Sequence, residues 1–503
     1  MMNVYRKYNS VLVIAFLMLA AVAQAYLIVS SVYVAIVLTL AALFFLVFHN
    51  APVGLLMILL FLFPFSGTEA FRTAVAEIPG FKPLQIFSVA VLAVAILNIR
   101  SAIRLPRSAA VFFAVIILLF TFSFLRSVPN LVSINMVLPE PLSVTRYFLS
   151  QYFKPLIYFI PAIILTQYVY TGRDIDRVAQ TISWSITFLS VSIIGFFFFN
   201  RDLILDPGST RTFYATSFGL HTNSIANYYI IGFPFVLSDL FRGRFVIGII
   251  KITLCAAGIA LLFSRSAYFI AIFAFIAYLF ISKRAKWLPV LLVVLLASVF
   301  VIPQSVTKRA TKGMETWDRE EISAGRVDNI WLPLIKENAW DLEKLLLGNG
   351  RFAMVSTQVH KKKLILQAMH PHNMYLEMVL DAGLIGLLII LSLFAFLLRK
   401  AYMSLNFAGS SHYKEYQVAV ITALICFLLS GLTDRTFFPD EINGYLWMMA
   451  AMAFILYRHL ETIAQAHKRV RYADAANGGG VRSNPDTLAA DLIMKKGPFT
   501  FKP

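Results

Sequence analysis

The chain has 503 residues, of which 59% are hydrophobic and 14% are charged. A soluble domain carries about 25% charged residues, so this balance excludes an ordinary water-soluble enzyme and points to lipid as the solvent. The formal net charge of +18 would suggest nucleic acid in a soluble protein. In a membrane protein it reads as Lys and Arg gathered in cytoplasmic loops, and no nucleic-acid partner is expected.

An α-helix needs about 20 apolar residues to cross the hydrocarbon core, with a range of about 17–25. Apolar blocks occur near 11–29, 31–48, 51–65, 84–99, 109–125, 152–170, 178–199, 223–241, 246–263, 267–282, 286–303, 372–398, 416–432 and 444–459. The expected fold class is all-α polytopic membrane protein, with about 12–14 transmembrane helices. The first block ends in AVAQA, which loosely resembles a signal-peptidase site, but apolar sequence resumes at once, so it reads as an uncleaved helix. Cys255 and Cys426 lie inside apolar blocks and have no loop partner, so no disulfide framework is expected.

Orientation follows from the connections. One alternating set of loops carries Arg6 and Lys7; Arg100, Arg104 and Arg107; Arg173 and Arg177; Arg242 and Arg244; Lys283, Arg284 and Lys286; and Arg399, Lys400 and Lys414. That set includes both termini and is predicted to be cytoplasmic. The division expected is N-terminal helices over 1–303, one large external loop over 304–371, C-terminal helices over 372–465 and a disordered tail over 466–503. Within the loop, residues 331–348 have apolar residues at helical spacing and read as one amphipathic helix. Trp317, Trp331 and Trp340 are candidate interfacial anchors.

The segment HPHNMYLEMVLDAGLIGLL (370–388) concentrates chemistry where the large loop meets a membrane helix. Pro371 suits the first turn of that helix, which would put His372 in the first turn as well. A histidine can exchange a proton near neutral pH, so His372 is a candidate general base, with His370 and Asn373 beside it. The plainer reading is an interfacial cap. Arg265, in Ser264-Arg265-Ser266, sits in a tight turn between two apolar blocks; it either reaches headgroups or is held inward, where its fork can bind phosphate. Arg211, His221 and Asn223 precede another helix, and Arg326 precedes the amphipathic segment. Singly each is an ordinary surface charge or cap; together with His372 they form a cationic, hydrogen-bonding group suited to a lipid diphosphate. Asp434, Arg435, Asp440 and Glu441 in the last external loop could orient a site or form a solvated turn. There is no Walker loop, GxGxxG, CxxC pair or HExxH, so neither a metal nor a cofactor has positive support.

These motifs resemble the O-antigen ligase and polymerase superfamily of membrane glycosyltransferases. Its ligases carry His, then Asn, Ser or Gln, then nine residues, Gly, two residues, and Gly, Thr or Tyr. Here the pattern is His372-Asn373, residues 374–382, Gly383 and Gly386. Ser264-Arg265 is similar to the family's Ser-Arg turn, Arg326 to its Arg early in the large loop, and Asn223 with Ala226 to its Asn-x-x-Ala. The resemblance spans about 200–400, while the extra N-terminal helices and long tail depart from the family's commonest twelve-helix pattern. It implies a GT-C type membrane fold and metal-independent transfer of a glycan from undecaprenyl diphosphate. The acceptor would be lipid A-core in a ligase or another lipid-linked glycan in a polymerase. The implied setting is the periplasmic face of a bacterial inner membrane. By the same resemblance Arg265 and Arg326, with Arg211, would bind the diphosphate, His372 would take the acceptor proton, and Asn373, His370, Asn223 and His221 would support them. A lipid-linked glycan flippase is the alternative of another class. It would place charged residues deep in several helices, whereas the apolar blocks here hold few beyond Asp239, Lys251, Glu377 and Asp381.

Overall fold

The computed structural model describes residues 51–476, except 69–70, 72–81, 100–101, 139, 200–209, 211, 290–319, 321–322, 324, 366–369, 409–411, 434 and 441. The apolar blocks at 11–29 and 31–48, most of that at 286–303, the tail beyond 476, Trp317 and Arg211 lie outside the described residues.

Every apolar block within the described residues is helical, and no strand occurs among them. The membrane body contains α1 (Pro52–Leu62), α2 (Pro83–Leu97), α3 (Arg107–Ser127), α4 (Lys154–Tyr168), α5 (Gly172–Phe199), α6 (Thr222–Phe241), α7 (Phe245–Ala260) and α8 (Arg265–Ile281). The loop segment adds α9 (Leu332–Asn338), α10 (Leu342–Leu347) and α11 (Gln358–Lys361), and α12 (Met374–Ala408), α13 (Tyr413–Ser430) and α14 (Gly444–Ala476) follow. Six helical runs among the described residues are long and apolar enough to cross a membrane, and α1, α2, α7 and α8 are shorter apolar helices. The protein is an all-α, multi-pass membrane protein. Such spans are helical because lipid offers no partner to a bare N–H or C=O, so each backbone group must bond within its own helix.

The first half of α14 runs through the middle of the bundle, with every residue from Tyr445 to Leu456 buried by protein. Trp447 meets Phe159 of α4 edge-on at 5.0 Å, and Tyr445 meets Phe63 at 6.0 Å. Aromatic pairs in this geometry add to simple contact, which matters where lipid is as apolar as the helix surface. Asp239 and Lys251, two of the four charges noted inside apolar blocks, pair with each other. Lys251 Nζ is 2.7 Å from Asp239 Oδ2, and their side chains are 1% and 0% exposed. Ser183 Oγ and Gln180 Nε2 of α5 also donate to the Asp239 carboxylate, so the pair clasps α5, α6 and α7.

Two local expectations need correction. Residues 331–348 do not form one helix but two, α9 and α10, separated by a turn at Ala339–Trp340. Asp341 causes the break: its backbone is extended, and its carboxylate accepts the Lys344 N–H, so it starts a new helix. Trp340 is 91% exposed, as an interfacial anchor would be, but Trp331 is partly buried and its Nε1–H donates to the Pro371 carbonyl at 2.8 Å. That tryptophan ties the loop to the histidine turn.

Candidate active site

The second correction concerns His372. The helix begins at Met374 rather than at Pro371. Asn373 is its cap: Oδ1 accepts the N–H groups of Tyr375 and Leu376 at 3.0 and 3.1 Å. His372 therefore stands just outside the first turn, half-buried and with φ of 55°. Left-handed backbone is uncommon for a non-glycine residue and marks a conformation imposed by its neighbours. Those neighbours are explicit. Trp331 grips the Pro371 carbonyl on one side, and Met374 N–H donates to the Gly431 carbonyl at the end of α13 on the other. The His370 ring lies edge-on to His372, with centroids 4.4 Å apart.

Arg326 joins this group through the last loop. It stands at the start of a wide helical turn over Val327–Trp331, and its guanidinium donates to the Thr433 carbonyl, two residues beyond Gly431. The sequence-predicted Arg326, Trp331, His370, His372 and Asn373 thus form one cluster where the loop, α12 and the end of α13 meet.

A second cluster forms at the starts of α6 and α8. His221 caps α6 through Nδ1, which accepts the Asn223 N–H at 3.2 Å. Asn223 Oδ1 accepts from Ser264 Oγ at 2.9 Å, and Ser264 caps α8, whose first residue is Arg265. The Asn-x-x-Ala and Ser-Arg elements are therefore in direct contact through Asn223 and Ser264. Because α6, α8 and α12 start at the end of the bundle where α13 finishes, both clusters share that end. Asn227 of α6 also donates to the Ile442 carbonyl of the last loop.

Sequence reasoning missed Arg351. Its side chain is 10% exposed, and Nη1 lies 3.0 Å from Glu377 Oε1 and 3.1 Å from Asp381 Oδ2, both on α12. The guanidinium also lies over the Phe438 ring at 4.3 Å. Burial disfavours its charge, but the Glu377 and Asp381 carboxylates outweigh burial and hold the Arg351 pKa above its ordinary value. The signal available was the carboxylate pair itself. Two acids one turn apart in an apolar helix require a cation from elsewhere, and Arg351 follows Gly348 and Gly350, which let the backbone come close to α12 and α3.

The loop is seated around this ion cluster. Asn349 and Gly350 donate their N–H groups to the Leu380 and Asp381 carbonyls at 2.7 and 3.0 Å. Gly383, the first glycine of the motif and separated from Asn373 by the nine residues 374–382, breaks α12 with φ of 74° and ψ of −179°. Only glycine adopts that backbone readily, and a Cβ there would overlap the Leu346 carbonyl of α10. Gly386, by contrast, is helical. The last loop is also folded inward, not solvated: Arg435, Phe437 and Phe438 are buried. Asp440 accepts the Ile442 and Asn443 N–H groups, while Asp434 and Glu441 lie outside the described residues.

Residues 251–391 match the O-antigen ligase family. That match places the segment in the O-antigen ligase and polymerase superfamily, as the His372 motif implied. It spans Arg265, Arg326, Arg351, Gly383 and His372 itself. A search of curated proteins found no significant match. The family relationship implies lipid-linked glycan and membrane lipid as partners of this O-antigen ligase-like segment.

Proposed function

We propose that the protein transfers a glycan from undecaprenyl diphosphate to an acceptor hydroxyl at the periplasmic face of a bacterial inner membrane, with both termini cytoplasmic. The observation that carries this reading is that His370 and His372 pack together at the turn bonded to Gly431, while Arg326 reaches Thr433 just beyond it, all three residues lying within the family-matched segment. His372 removes the acceptor proton, the freed oxygen attacks the anomeric carbon, and the bond from that carbon to the diphosphate breaks. Arg265 and Arg326 offset the charge that develops on the leaving diphosphate. Asn373, His370, Asn223 and His221 hold the two clusters in shape, and Arg211 would add a third cation to the donor.

A ligase transferring to lipid A-core and a polymerase transferring to a second lipid-linked glycan would use the same groups. The complete histidine motif favours the ligase. A flippase is less well supported, because Asp239 and Lys251 saturate each other instead of lining a path. Glycolipids from a strain lacking the protein separate the readings. Full-length polymer stranded on undecaprenyl diphosphate is expected for a ligase; stranded single repeats would instead assign a polymerase. Unchanged glycolipids would reject both.

A further inference from the structure

We propose that Arg351 is a positioning residue of this transfer site, seating the loop segment on α12 so that Arg326 and His372 stand in register. The inference rests on the glycosyl-transfer reading above.

His372 lies outside its helix, so α12 alone does not fix it. Its turn is gripped by Trp331, and Trp331 and Arg326 both belong to the loop segment. Where these two side chains fall depends on how that segment sits on the bundle. The seat is built from backbone contacts at 349–353: Asn349 and Gly350 on α12, Arg351 N–H on the Ser123 carbonyl of α3 at 2.9 Å, and Ala353 N–H on Asp381 Oδ1 at 3.0 Å.

Arg351 supplies the one buried ionic contact of this seat among the described residues. It is also the residue that meets all three parts of the site. Its chain position is in the loop, its guanidinium bonds Glu377 and Asp381 on α12, and the same group lies over Phe438 in the loop that receives Arg326. Among the described residues Glu377 and Asp381 have no other ion-pair partner. Removing the cation strands two carboxylates in a closed space, and relief comes from lifting the loop so that water enters. Lifting the loop carries Trp331 off Pro371 and Arg326 off Thr433. The chemistry of His372 is untouched, but its placement is lost.

The test uses the full chain in liposomes, with Ala353→Cys as a reporter labelled by a membrane-impermeant maleimide. Ala353 is 2% exposed, and the natural Cys255 and Cys426 are buried. Arg351→Gln is expected to lower kcat by about 10–100-fold, the scale of a displaced catalytic group, and to speed labelling at 353 by at least about tenfold as the seat opens. Arg351→Lys keeps the charge and is expected to restore both to within about threefold. If Arg351→Gln does not insert, Arg351→Gln with Glu377→Gln and Asp381→Asn removes the stranded charges together with the ionic tie, so nothing drives the loop off but nothing ionic holds it down, and both changes are expected in the same direction and smaller. Parental kcat in either glutamine variant overturns the proposal, as does lost transfer with position 353 still protected. A parent protein that transfers nothing fails the glycosyl-transfer reading instead.

Discussion

Two of the buried charge groups among the described residues differ in balance. Lys251 and Asp239 are one cation and one anion, with every carboxylate oxygen bonded, on three helices that follow one another in the chain. Arg351, Glu377 and Asp381 are one basic and two acidic groups, joining a loop to the helix that begins beside His372. The first is a closed clasp whose only visible consequence is helix packing. The second has an excess acid and a loop on one side, so its integrity is tied to where the loop lies. Burial and pairing alone do not mark a functional charge; what the pair connects does.

The contrast can be broken first at the clasp. Lys251→Met leaves Asp239 buried without its cation, which costs about 3–5 kcal/mol, while Lys251→Met with Asp239→Leu recovers most of that loss. Thermal unfolding of the purified protein reads both, and transfer per folded molecule is expected to stay near the parent value. A double variant as unstable as the single would show that the clasp does more than balance charge.

A smaller effect on stability, with a larger one on transfer, is expected at the seat. Gly383→Ala forces a non-glycine residue into a backbone that costs about 1–3 kcal/mol and drives a methyl group into the Leu346 carbonyl. The loop should lift, exposing 346–353 to protease, with transfer falling further than unfolding temperature. Equal protease resistance in parent and variant would remove Gly383 from the seat.

Much of this organisation is legible in the sequence. The membrane helices are visible because twenty apolar residues in a row have one physical solution in lipid. Arg326, Asn223, Ser264 and His372 were singled out by position beside helix starts, and the structure brings them into two clusters at one end. The sequence offers two starts for the helix after the histidine turn, Pro371 at a first helical position and Asn373 as a cap, and the structure uses the second. Apolar spacing through 331–348 hid the cap at Asp341. Arg351 escaped because its partners lie 26 and 30 residues away across a loop and a helix; such pairing is a tertiary fact, announced only by the two lone acids it satisfies. The glycine of the motif looked like part of a chemical signature, and its visible work is to let α10 touch α12.

The central claim is that the turn at the start of α12 holds a base for glycan transfer. The most direct measurement is single-turnover transfer by His372→Ala in liposomes, from a lipid diphosphate glycan to its acceptor, with donor binding measured in parallel. Transfer reduced by about 10²–10⁴-fold with donor binding retained is the predicted result. Undiminished transfer would contradict the account.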